Sequence, residues 1–213
     1  MKGDAYRLFG LMALVAVVGS GVVLLGPRCL SAAAGPEGGL VAMLKEAEGK
    51  GFTVPGPLPL KVEKASFDRL SVRLPQPGAA VVDATLDCEG HAGTTQVSSL
   101  GVEQVAFEAR DGDWVAPSLA PRLGQVVAAL EERRQQLERE GLPDGGDWPG
   151  AGLTHRRLAA QAWFIRLERK SAEVTERYRL QGEAPDRPVD QVAEKRLSLL
   201  RQDSGFFFPE GLW

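Results

Sequence analysis

"AAVVDATLDCEGHAG" runs from Ala79 to Gly93, and 92 residues further along "SAEVTERYRLQGEAP" runs from Ser171 to Pro185. In the first string Val82, Ala84, Leu86 and Cys88 alternate with polar residues up to Gly90, the period-two pattern of a half-buried strand ahead of a turn. In the second, Val174, Tyr178 and Leu180 hold the same phase and Gly182 stands where Gly90 does. Glu176 breaks the match, because it falls on the would-be inner face. The strings that follow also end alike, "RDGDWVAP" (Arg110 to Pro117) against "QDSGFFFP" (Gln202 to Pro209). Residues 79 to 117 align on 171 to 209 without a gap, but only seven of the 39 positions are identical. The case for a duplication therefore rests on the physical pattern.

That pattern extends outward. Val105, Phe107 and Ala109 share one strand face while Leu100 and Val102 lie in the opposite phase, so a bulge near Glu103 is expected to bury both sets. Val192 stands out of phase with Leu197 and Leu199 in the same way. Asp111-Gly112 and Asp203-Ser204-Gly205 supply turns into short strands carrying Trp114 and Phe206. A helix precedes each copy. Pro36 and Glu37 suit a first turn, Leu40, Val41, Leu44 and Ala47 form a stripe, and Gly49 and Gly51 stop it. The second helix has Ser118 as cap, Leu123, Val126, Val127, Leu130 and Leu137 at helical spacing, and Gly141 at its end. Its "EERRQQLERE" reads as a solvated face.

The expected fold is α+β, an N-terminal transmembrane helix followed by two tandem helix-plus-antiparallel-sheet (α-ββββ) repeats. The domains are a tail over 1–7, a transmembrane anchor over 8–26, a linker over 27–36, a first repeat over 37–117 and a second over 118–213. The order of elements resembles the cystatin-like or NTF2-like architecture, a curved antiparallel sheet around a helix. Cystatins inhibit proteases through Gln-x-Val-x-Gly, which is absent here, since "QVSSLG" (Gln96 to Gly101) has the wrong spacing. The paired repeats also resemble, more loosely, periplasmic domains of single-span pilus and type II secretion assembly proteins. Those place a long coiled coil after the span, whereas "TVPGPLPL" (Thr53 to Leu60) breaks any helix here.

"LFGLMALVAVVGSGVVLLG" (Leu8 to Gly26) has 19 residues without a charge. As a helix it would be about 28 Å long, close to the ~30 Å hydrocarbon core of a bilayer. An uncleaved signal anchor is the first reading of it and a signal peptide cleaved near "SAAAG" (Ser31 to Gly35) the competing one. Lys2 and Arg7 place the N-terminus in the cytoplasm and the rest outside. Removing Lys2, Arg7, Arg28 and Asp4 from the 25 basic and 28 acidic residues leaves 22 and 27. A mildly acidic domain argues against nucleic acid and anionic lipid as its main partners, because both need clustered Lys and Arg. Arginine outnumbers lysine 18 to 7, which fits a GC-rich bacterial genome. Gly19, Ser20 and Gly21 would let a second spanning helix approach.

Chemistry-bearing motifs are sparse. His91 and His155 are the only histidines, and "DCEGH" (Asp87 to His91) reads as a strand end rather than a metal site. Cys29 and Cys88 read as separate thiols, Cys88 as a small buried apolar residue. The sequence lacks a nucleophile elbow, a His-Glu-x-x-His helix, a Cys-x-x-Cys pair and a phosphate-binding glycine loop. No catalytic residue, metal ligand or cofactor is assigned. The surplus is aromatic. Trp148 sits in "PDGGDWPGAG" and either tucks onto its own core or anchors a partner. Phe206, Phe207 and Phe208 cannot all face one side of a strand. Trp148, Phe207 and Trp213 are the candidate partner contacts. The expected function is that of a non-enzymatic, membrane-anchored extracytoplasmic protein of the bacterial cytoplasmic membrane. It would be an accessory or scaffold subunit that binds other membrane or envelope proteins and is compatible with homo-oligomers. The alternative is a small-molecule or lipid-binding domain with an apolar pocket in a curved sheet.

Overall fold

The computed structural model describes residues 36–140 and 152–209. Helix α1 (Pro36–Lys50) is followed by strands β1 (Phe52–Val54), β2 (Leu60–Gln76), β3 (Ala79–Ala92), β4 (Thr95–Arg110) and β5 (Asp113–Val115). Helix α2 (Pro121–Glu140) then leads into β6 (Thr154–Leu167), β7 (Ser171–Ala184), β8 (Arg187–Gln202) and β9 (Gly205–Phe207).

Two expectations are corrected here. The strands do not form two separate antiparallel units but one mixed nine-stranded sheet, ordered β1-β2-β3-β4-β6-β7-β8-β9 with β5 beside β4. Its centre is a parallel pair, Gln96 to Gly101 of β4 against Ala162 to Leu167 of β6. A helix between paired strands is what permits a parallel neighbour, and α2 supplies that crossover. Neither the cystatin-like nor the NTF2-like order describes such a sheet. The membrane-spanning helix is the second correction. No helix of the described residues is long and apolar enough to cross a membrane, and the expected span at 8–26 lies outside the described residues.

β3 and β7, β4 and β8, and β5 and β9 each start and stop 92 residues apart. Two of the irregularities of β2, at Val62/Lys64 and Asp68/Ser71, have counterparts in β6 at Thr154/Arg157 and Ala160/Ala162, while the third shift of β2, at Arg73/Gln76, has none. The inner face carries the core. Phe67, Val82, Leu86, Val97, Phe107, Trp163 and Val174 pack against Leu40 and Leu44 of α1 and Leu123, Val126, Val127 and Leu130 of α2. The sheet curves around α2, which packs on β4 and β9 and also reaches β1 at the opposite end. A Cβ on Gly124 would lie 2.7 Å from Val54 Cγ1.

The expected bulge near Glu103 does not exist. β3 and β4 pair without a register shift from Ala79/Glu108 to Ala92/Thr95. Strict alternation therefore sends Leu100 and Val102 to the outer face, 55% and 42% exposed, and turns Glu103 inward, fully buried. The chain tolerates a buried carboxylate rather than a kinked strand. Nor does Ser118 cap α2. Its Oγ donates to the Leu119 carbonyl at 3.2 Å.

Candidate functional site

Three places on the sheet gather chemistry. The first is the inner face beside the C-terminal half of α2. Glu176 points inward between Val174 and Tyr178, in the row occupied by Ala84 in the first half. Arg133 of α2 donates from Nη1 to Glu176 Oε2 at 2.8 Å, and Trp163 Nε1 donates to Oε1 at 3.1 Å. The guanidinium also lies 5.7 Å over the Phe208 ring. Both partners are nearly inaccessible, Arg133 2% and Glu176 7% exposed. A buried ion pair holds only when its remaining polar atoms are also engaged, and the tryptophan N–H serves that need for the carboxylate. The "EERRQQLERE" segment is thus not wholly solvated. Glu131 and Arg133 are buried, and Glu131 holds Arg134 at 2.7 Å.

Next to this pair lies a cavity of about 370 Å³, whose lining includes Arg133, Arg134, Arg156, Arg157, Glu176 and Tyr178. Burial pushes the Tyr178 phenol up to about 12, so the hydroxyl is neutral at ordinary pH. That hydroxyl is itself buried without a hydrogen-bond partner among the described residues. The lining combines these guanidinium groups with the apolar side chains of Leu137, Leu158 and Ala160.

The second place is the start of α2. Glu103 Oε1 accepts the Arg122 N–H at 2.7 Å, so a carboxylate from β4 caps the helix in place of a local hydroxyl. Arg122 reaches past it to the carbonyls of Val102, at 2.9 Å, and Glu168, tying α2 to both halves of the sheet. Desolvation nevertheless pushes the Glu103 carboxyl up to about 7, against the pull of the helix N–H and the Arg122 guanidinium. An acid with a folded pKa above its unfolded value of 4.5 binds more protons when folded. Its contribution to stability is therefore complete below pH 4.5 and is lost as pH rises through about 7. The change is on the order of 3 kcal/mol. Glu103→Gln is expected to flatten the fall in urea midpoint between pH 5 and pH 8. An unchanged slope would show that Glu103 titrates normally.

The third place is the outer face, which no helix of the described residues covers. Large apolar side chains stand exposed there, Leu100, Val102, Phe164, Val192 and Leu200. A groove of about 520 Å³ crosses it, with Leu100 and Phe164 among Asp87, Glu89, Arg166 and Glu173. Arg177 stacks on Phe164 at 5.2 Å. β8 forms one side of this face and of the whole sheet. It pairs with β7 from Arg187 to Leu200, but with β9 only at Leu200 to Gln202.

Comparison with protein-family models, curated proteins and solved structures finds no match. The chemistry rests on the chain's own residues.

Of the aromatic contacts expected from sequence, Phe207 is half-buried on β9 opposite Leu200, while Phe206 and Phe208 turn inward and are buried. Trp148 and Trp213 lie outside the described residues. Among the described residues no three His, Cys, Asp or Glu side chains gather as metal ligands. His91 and His155 are exposed beside Glu63 and Glu183, at 3.6 and 3.3 Å. Cys88 is a free buried thiol, 3.0 Å from Ser99 Oγ. Sequence reasoning missed Glu103, Trp163 and Arg133. One signal pointed to their surroundings, the intrusion of Glu176 into an apolar row.

Proposed function

We propose that this chain is a non-enzymatic protein-binding domain, an accessory or scaffold subunit that takes on an extended polypeptide by strand addition at β8. The observation that supports the reading is that, among the described residues, no strand pairs with the side of β8 away from β7 between Arg187 and Leu199. The β7–β8 turn has two residues, Pro185 and Asp186, so its closing pair Ala184/Arg187 faces inward across the hairpin. With no register shift along β8, the even-numbered backbone groups of Asp190, Val192, Glu194 and Arg196 point away from β7. An edge of unpaired N–H and C=O groups is the template on which an extended segment adds. The acidic side chains Asp190 and Glu194 do not block it, because they lie across the outer face in cross-strand pairs. Asp190 binds Arg179 at 2.6 Å and Glu194 binds Arg177 at 2.8 Å.

A photo-crosslinking residue at Asp190 tests this in cells. Adducts to a separate polypeptide are expected, and Val192→Pro should abolish them by removing one outward N–H while leaving the β7 ladder whole. Crosslinks confined to the same chain would defeat the reading. A second reading, binding of a small anion, is favoured by Arg157 on the lining of the Tyr178 cavity, where Arg133 and Arg134 are already paired with carboxylates. Under that reading citrate or phosphate raises the melting temperature, and Arg157→Ala removes the rise.

A further inference from the structure

The internal repeat indicates what the β8 edge is built to receive. In the first half the corresponding edge belongs to β4, and it is filled by β6, the first long strand of the second half. We infer that β8 of one copy receives β2 of a second copy, repeating between chains the parallel β4–β6 junction found within one. The inference rests on the reading of β8 as a binding edge and names its partner.

Offset by 92, the β4 segment Gln96 to Gly101 becomes Pro188 to Ala193. The β6 segment is equivalent to β2 near Leu70 to Leu74, since Ile165 pairs with Val174 as Val72 pairs with Val82. Among the described residues no strand pairs with the outer edge of either segment. β1 covers β2 only from Leu60 to Val62, and α1 closes the edge at Phe67, whose N–H donates to Glu48 while its carbonyl accepts from Lys45. Beyond Phe67 no strand of the described residues pairs with β2 on the side away from β3.

Side chains support the same pairing. Within the chain Trp163, Ile165, Leu167 and Val97 are buried at the junction, 0 to 3% exposed. Their equivalents Leu70, Val72 and Val189 are only partly covered, and Leu74 is 46% exposed. Copying the register sets Val189 beside Leu70, Gln191 beside Val72 and Ala193 beside Leu74 on the inner face. On the outer face Asp190 meets Ser71 and Val192 meets Arg73. No like charges oppose each other. Pro188 contributes only its carbonyl, so the new ladder begins in full at Asp190.

The internal junction pairs just six residues of each long strand, which staggers the halves along the strand direction. The free edges of β8 and β2 consequently lie toward opposite ends of the molecule. A junction of this kind is heterologous, and its repetition leads to an open chain or a ring rather than a closed pair.

Paired cysteines test it in the full chain with Cys29→Ser, Cys88 being buried. Neighbouring strands place Cα atoms within disulfide range. Chains carrying Val192→Cys and chains carrying Arg73→Cys are mixed under mild oxidation. The matched pair is expected to form a disulfide-linked dimer about tenfold faster than Val192→Cys mixed with Lys61→Cys, where β1 covers the edge. A chain with both Val192→Cys and Arg73→Cys should give a ladder of multimers that Asp190→Pro suppresses. Equal rates for matched and mismatched pairs, or no adduct, would overturn the inference. If Asp190 then crosslinks in cells to a different protein, strand addition at β8 stands and self-pairing falls. If it crosslinks to nothing, both fall.

Discussion

Arg133→Ala is expected to lower the unfolding free energy by about 3 to 5 kcal/mol, because it leaves the Glu176 carboxylate buried without its cation. The Trp163 N–H at 3.1 Å remains, but one hydrogen bond does not replace a guanidinium at 2.8 Å. The loss of contact with Phe208 adds to the effect. The double variant Arg133→Met/Glu176→Leu should recover most of the loss, since apolar residues of similar volume remove the desolvation penalty along with the pair. Urea unfolding of the three proteins at pH 7 measures both differences. A single variant within about 0.5 kcal/mol of the parent, the range of an ordinary surface change, would mean that water reaches Glu176.

Gly101→Ala should be nearly as damaging. At Gly101 the first half of the sheet meets Leu167 of the second. An added Cβ would lie 2.1 Å from the Leu167 carbonyl oxygen and 2.6 Å from its Cβ. Backbone cannot yield as a flexible side chain does, and φ of +156° is itself unfavourable for a residue with a Cβ. The expected cost is about 3 kcal/mol, the upper range for overpacking. Because the strain falls on the seam, amide exchange should accelerate in Gln96 to Gly101 and Ala162 to Leu167 before it does in β3 or β7. Uniform acceleration across all strands would contradict a localised seam.

Ala79 to Ala92 and Ser171 to Ala184 are strands for a reason visible in one dimension. Alternating side chains bury one face, and the chain carries that instruction wherever the strand docks. The stripe of Leu123, Val126, Val127 and Leu130 is local in the same sense, and so are the turns after Arg110 and Gln202. Leu100 and Val102 could not be placed by this logic. Their apolar character suggested burial and hence a bulge, whereas the unbroken β3–β4 ladder turns them outward and accepts Glu103 inside. Arg133 was read as solvated because its partner Glu176 lies 43 residues away, on a strand whose neighbours local spacing does not reveal.

The amino-acid order alone therefore determined the two helices, the strands and turns between residues 79 and 115 and between 171 and 207, and that residues 79 to 117 and 171 to 209 follow one pattern, but it did not locate β1, β2 or β6. Each is a matter of side-chain period within a few residues. Tertiary structure decided that the halves share one sheet, that β4 and β6 run parallel, that Glu103 and Glu176 are buried with their arginines, and that among the described residues β9 pairs with β8 only from Leu200 to Gln202. Those outcomes depend on which edges meet once α2 has crossed the sheet, and that competition among distant groups leaves no local periodicity to read.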